Sequence, residues 1–233
     1  MQQNFYIFEP GYLHEVAKAA IAASPENDID AMMHYIVANL TETYPQDSSA
    51  SILLNLDTEE WMFNNHGGAM GAMYIIHASI TEYLIIYGTP LGTEGHTGIH
   101  TADDYFNILV GEEWLFSPPN LTMTVYKPGD LNLMPRGSSP KQYKMHKGCF
   151  ALEYARGKHI FLFLSLVIAD SFLHRMDPSH ASVRLCRLIY LNARFLYALE
   201  NNQDYWKRDA SQFVNRKDMI YRLHAPGTIF QSG

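Results

Sequence analysis

The sequence predicts an α+β fold in which a β sandwich or barrel follows one helical segment and precedes another. Three textures lead there. Apolar residues recur at helical spacing over residues 10–43, short apolar or alternating runs broken by turn residues fill 50–160, and helical spacing returns over 160–200. The 233 residues carry 47% hydrophobic, 18% charged and 13% aromatic side chains, enough apolar mass to close a substantial core and unlike a disordered chain. Acids outnumber bases, 24 Asp and Glu against 17 Lys and Arg, so a surface built to neutralise phosphates is not expected and nucleic acid is excluded as a partner.

In the first stretch Leu13, Val16, Ala17, Ala20 and Ile21 share one helical face. Ser24-Pro25 breaks the helix, and Ile29, Met32, Met33, Ile36, Val37 and Leu40 mark a second one that Pro45 ends. Beyond residue 50, Gly-Gly, Gly-Thr-Pro, Thr-Gly, Pro-Pro-Asn, Lys-Pro-Gly-Asp and Arg-Gly-Ser-Ser-Pro separate short strands. The third zone reads IFLFLSLVIADSFL, a break at Asp177-Pro178, then RLCRLIYLNARFLYALE, apolar nearly all round. Such helices are either internal or lie in a bilayer interface, and the residues alone leave both open. The organisation is therefore a helical segment 1–48, a β domain 49–159, a helix pair 160–200 and a polar extension 201–233.

Two cysteines, Cys149 and Cys186, are too few and too far apart for a disulfide framework or a zinc cluster. The N-terminus has no basic region followed by an apolar core, so no signal peptide is expected, and the most apolar run, Ile160 to Ala169, is too short to span a bilayer. No phosphate-loop, dinucleotide or nucleophile-elbow pattern occurs, which removes nucleotide chemistry. The eleven histidines are scattered and form no metal constellation; His77, beside an apolar stretch, reads as a core histidine.

Gly129 to Gly137, GDLNLMPRG, has the spacing of the second cupin motif, glycine, five residues, proline, one residue, glycine. Ser138, Ser139 and Pro140 follow where a metal-binding cupin has a histidine, and His96 and His100 have the wrong spacing for the upstream ligands. A cupin-like barrel without metal or other cofactor is the expectation. In ADDYFNILVG, strand alternation puts Asp104 with Phe106, Ile108 and Val110 on one face, and Asp103 with Tyr105, Asn107 and Leu109 on the other. On residues alone, capping of a turn before the strand is the simpler account of both acids. Glu153, inside FALEYARG, is costly in an apolar strand unless paired or protonated; an ion pair with Arg156 competes with a functional role. Glu82, inside ASITEYLIIYG, poses the same problem, with a hydrogen bond between strands as its structural account.

The string EEWMFNNHGGAMGAMYIIHASITEYLIIYGTPLGTEGHTGIHTADDYFNIL, Glu59 to Leu109, resembles the family of fungal C-8 sterol isomerases and the sigma-1 receptor. The likeness continues through TVYKPGD, KQYKM and FALEYARG and is looser over residues 5–58; ADDYF and GTEGHTG sit nearer the isomerases. The resemblance implies a cupin-like β barrel of jelly-roll type with N-terminal helices, a buried pocket, two C-terminal membrane-facing helices over 160–200, and a homotrimer. It implies Glu153 as the essential pocket glutamate, Tyr83 as the tyrosine that hydrogen-bonds it, and a ligand that is a sterol, another hydrophobic polycycle or a cationic amphiphilic inhibitor. The receptor's second pocket acid falls at Phe106, and this sequence offers Asp104 on the same strand face instead. Family members begin with a membrane-spanning helix that would end where this chain starts, so the expectation is peripheral membrane association, at the endoplasmic reticulum in a eukaryote.

The function implied is Δ8–Δ7 sterol isomerisation in ergosterol-type biosynthesis, with protonation at C9 and deprotonation at C7. Two close carboxyls in a dry pocket cannot both ionise, which supplies an acid and a base; Glu153 and Asp104 are the pair, in either assignment. Tyr83 orients Glu153, Tyr87 and Phe106 offer aromatic faces to a cation, Met73, Ile75 and Ile85 form an apolar wall, and Asp103 joins the substrate-binding set. The rivals are a non-catalytic sigma-1-type receptor and an isomerase of a different polycyclic or isoprenoid lipid.

Overall fold

A computed structural model describes residues 6–24, 27–44, 54–79 and 81–157. Helix α1, Pro10–Ala23, begins where Glu9 accepts a hydrogen bond from the Tyr12 amide at 2.6 Å and Pro10 opens the first turn. Helix α2, Ile29–Thr43, is capped by Asp28, whose carboxylate accepts from the amides of Asp30 and Ala31 at 3.0 and 3.2 Å. The apolar faces read from the sequence are buried in both helices: Leu13, Val16, Ala17 and Ala20 in α1, and Met32, Met33, Ile36, Val37 and Leu40 in α2. Among the described residues, no helix is long and apolar enough to cross a membrane.

Among the described residues ten strands follow: β1 Trp61–His66, β2 Ala69–Ala78, β3 Glu82–Thr89, β4 Thr93–His96, β5 Asp103–Val110, β6 Glu113–Phe116, β7 Thr124–Tyr126, β8 Leu131–Met134, β9 Gln142–Met145 and β10 Cys149–Arg156. They form a six-stranded sheet, β1-β2-β3-β10-β5-β8, and a four-stranded sheet, β4-β9-β6-β7. The last eight pair from the ends inward, β3 with β10, β4 with β9, β5 with β8 and β6 with β7, all antiparallel. A long hairpin rolled in this way is a jelly roll, the topology that cupins use. The expected closed barrel is corrected: within each sheet the strand order is open, so the domain is two facing sheets. Closure into one ring is replaced by the wind between sheets, which the turns permit. Gly67 and Gly68, φ +59° and +88°, make the tight β1–β2 turn, where left-handed backbone favours glycine. The motif Gly129 to Gly137 is β8 between two turns, closed by Asp130 N donating to Lys127 O and Ser138 N to Pro135 O.

The six-stranded sheet is covered on both faces. Outward, Tyr74, Ile76, Leu84, Ile86, Leu109, Leu152 and Tyr154 pack with Phe8 and the two helices; inward, Tyr83, Ile85, Phe106, Ile108 and Ala151 pack with Met134 and Met145. All eight residues of β3 are consequently buried, which explains its unbroken apolar run. Glu82 points to the outer face, where it accepts from the Ile7 amide at 2.7 Å and from the Tyr154 hydroxyl at 2.6 Å. It ties β3 to β10 and to the segment before α1. His77 is buried edge-on to Phe8, as a core histidine. The helix pair 160–200 and the extension 201–233 lie outside the described residues.

Candidate functional site

The inner face of the six-stranded sheet carries the candidate residues. Register sets Ile85, Glu153, Phe106 and Asn132 in one row across β3, β10, β5 and β8, and Tyr83, Ala155, Asp104 and Met134 in the next. Tyr83 and Asp104 are thus diagonal neighbours of Glu153 on one face, one on each flanking strand, a separation of about 7–8 Å between backbones that long side chains bridge. The Tyr83 hydroxyl donates to Glu153 Oε1 at 2.5 Å. Asp104 is almost wholly buried, its Oδ1 has no hydrogen-bond partner among the described residues, and its Oδ2 lies 3.7 Å from His100 Nδ1.

Burial dominates the electrostatics. It pushes Asp104 far above the usual carboxylate range, and the negative charges of Glu153 and Glu113 push it further. Glu153 is also raised by burial, although it keeps some accessible surface; the hydrogen bond from Tyr83 opposes the rise. Among the described residues Asp104 accepts no hydrogen bond to stabilise its charge while Glu153 accepts one from Tyr83, so the proton is favoured on Asp104 and the charge on Glu153. Burial raises Tyr83 strongly, so its hydroxyl stays a donor.

Met73, Ile75, Ile85, Tyr83, Tyr87 and Phe106 are all buried in the inner cluster beside the two acids. The rings of Tyr87 and Phe106 stand 6.4 Å apart. Asp103 does not join them. It lies on the opposite face, where its Oδ1 accepts from the Arg136 amide at 2.9 Å and ties β5 to the turn after β8. Val110 also leaves the expected face: Phe150 pairs with Val110 but Ala151 pairs with Ile108, so a bulge at Leu109 turns Val110 outward. The competing ion pair of Glu153 with Arg156 is not formed. Arg156 is on the outer face, donating to the Tyr105 hydroxyl at 3.0 Å and lying over the rings of Tyr6 and Tyr105.

One inward acid went unread in the sequence. Glu113 on β6 faces the same interior from the four-stranded sheet, buried, with its Oε2 accepting from Asn132 Nδ2 at 3.0 Å and its pKa pushed up to about 7 by burial. The available signal was its phase: in GEEWLF it alternates with Leu115, and both are buried. Among the described residues, no three His, Cys, Asp or Glu side chains are grouped to hold a metal ion. What the site can do is hold one protonated and one ionised carboxyl side by side against apolar and aromatic walls.

Residues 1–198 match the family described as ERG2 and Sigma1 receptor like protein. The chain belongs to this ERG2 and sigma-1 receptor family. Within the family it is 54% identical over 175 residues to the C-8 sterol isomerase erg2 of Aspergillus fumigatus, covering 75% of this chain and 70% of that one. It is 53% identical to the C-8 sterol isomerase of Pyricularia oryzae, over 66% of this chain and 67% of that one. The sigma non-opioid intracellular receptor 1 of Gallus gallus is 28% identical over 74% of this chain and 72% of its own. The chain thus stands nearer the isomerase branch of the ERG2 and sigma-1 receptor family. Among solved structures, KdgF from Halomonas sp. matches 47% of this chain and 98% of its own at a TM-score of 0.38 and 11% identity, a likeness that adds nothing to the strand order described above.

Proposed function

We propose that this protein is a C-8 sterol isomerase that moves a ring double bond from Δ8 to Δ7. The observation that carries the reading is the unequal treatment of two neighbouring carboxyls, Glu153 held by the Tyr83 hydroxyl and Asp104 buried with an oxygen that has no partner among the described residues. Asp104 is the acid. Its proton adds to C9, and the electrons of the C8–C9 double bond form the new C–H bond, leaving a cation at C8. Glu153 is the base. It takes a proton from C7, and that C–H pair becomes the C7–C8 double bond.

The cation forms between a carboxylate and the rings of Tyr87 and Phe106, a dry setting where charge stabilisation is far stronger than in water. Met73, Ile75 and Ile85 wall the sterol from solvent. A cationic amphiphile that mimics the C8 cation pairs with Glu153 on this reading, so such amines are expected to inhibit. The similarity of residues 1–198 to the family supports the reading, and with it go the expected homotrimer and a membrane contact through residues 160–200.

The test is incubation of the protein with a Δ8 sterol, zymosterol or fecosterol, in deuterated water with detergent or liposomes, followed by mass spectrometry. A Δ7 product carrying deuterium at C9 is expected. Folded protein that binds a cationic amphiphile and converts no sterol supports the receptor-type reading instead.

A further inference from the structure

Among the described residues the only polar contact of Asp104 is His100, with Nδ1 and Oδ2 3.7 Å apart. The two side chains differ in access to solvent, 19% exposed for His100 and 4% for Asp104. His100 sits in the segment between β4 and β5, where its carbonyl accepts from the Gly137 amide at 2.8 Å. That bond holds its backbone beside Asp104, and the imidazole, 3.7 Å from the buried acid, keeps part of its surface exposed. Glu153 is engaged elsewhere, by Tyr83, and no hydrogen bond joins the two carboxyls.

An isomerase with this geometry has a resetting problem. After each turnover Asp104 has lost its proton to C9 and Glu153 holds the one taken from C7, so the pair carries the right number of protons on the wrong groups. We infer, on the isomerase reading above, that His100 is the proton relay that restores Asp104 between turnovers. The protonated imidazole gives its Nδ1 proton to Asp104 Oδ2 and takes another from water, while Glu153 releases its proton to water once the product leaves. Protons and charge balance, and no further reactant is needed. Imidazole suits the task because its charge changes near neutral pH. His100 acts through Asp104 and does not touch the sterol.

The experiment compares the parent full chain with His100→Ala and His100→Gln, turning over a Δ8 sterol in dilute buffer free of imidazole. The variants are expected to lose roughly 100-fold in kcat, the scale of a lost proton-transfer group, with KM unchanged. Added imidazole restores His100→Ala in a saturable way and leaves His100→Gln low, because the glutamine fills the site. Folded variants with parental kcat, or a loss that imidazole never restores, overturn the relay. A second measurement needs no variant: with substrate deuterated at C7 in ordinary water, the relay delivers solvent hydrogen to C9, whereas substrate deuterium at C9 of later products shows direct return from Glu153 and overturns it. A folded parent that converts no sterol overturns the isomerase reading itself and the relay with it; a parent that does, beside unaffected variants, overturns the relay alone.

Discussion

Tyr83 and Glu153 lie on adjacent antiparallel strands, one diagonal step apart, and the tyrosine hydroxyl donates to Glu153 Oε1 at 2.5 Å. Because the donor stabilises the ionised form, this contact favours the Glu153 carboxylate while burial works to neutralise it. Tyr83→Phe removes the donor and raises Glu153 further. The ascending limb of the kcat/KM profile against pH should move to higher pH, with about tenfold less activity below it for each unit moved. A profile that keeps its limb would show that Tyr83 only packs.

Glu113 makes a stability prediction with a definite sign. Its folded pKa, about 7, lies above its ordinary value of 4.5, so between these values the folded state binds more protons than the unfolded state. Its contribution is therefore neutral below about pH 4 and increasingly destabilising as pH rises to about 7, reaching roughly 3 kcal/mol as an upper figure. Glu113→Gln keeps an acceptor for Asn132 and removes the charge. Urea unfolding across pH 4.5 to 8 should show the variant gaining on the parent as pH rises; a constant difference would refute the buried charge.

Tyr154→Phe tests the tie on the opposite face. The Tyr154 hydroxyl donates to Glu82 at 2.6 Å and lies 3.1 Å from the Phe8 carbonyl, all buried. Losing it should cost about 1–3 kcal/mol in thermal unfolding. Turnover per folded molecule should stay parental, since the inner face is untouched.

Two glycines separate stability from site shape. A Cβ on Gly88 would fall 2.1 Å from the Phe150 ring on the outer face, and Gly88→Ala should destabilise by about 1–3 kcal/mol. A Cβ on Gly71 would meet the Tyr87 ring at 2.7 Å, so Gly71→Ala should displace Tyr87 inside the site and raise the KM for sterol more than it lowers the melting temperature. Equal effects of both changes on KM would contradict the assignment of Tyr87 to the site wall.

Much of the fold was legible because it is local. Both helices were readable from apolar spacing, and the caps at Glu9 and Asp28 fix starts that neighbouring residues decide. Period-two alternation placed Asp104, Phe106 and Ile108 on one face and Asp103 on the other, and the structure bears out that phase. Val110 escaped the rule because a bulge at Leu109 is set by pairing with Phe150 and Ala151, some forty residues away. Glu113 was illegible for a similar reason: β6 is short, and only the wind of the second sheet shows that its buried phase faces Asn132 and the carboxyl pair.

The sequence by itself determined the order of helices and strands, the turns that separate them and the place of Glu82, Asp104 and Glu153 in apolar strands, because spacing, caps and glycine conformations act over a few residues. The tertiary structure alone decided that Glu153 and Asp104 are diagonal neighbours, that Tyr83 and not Arg156 holds Glu153, and that His100 stands beside Asp104. Those relations depend on strand register and on the depth at which each charge is buried, and desolvation, the largest force on these carboxyls, is a property of the packed whole.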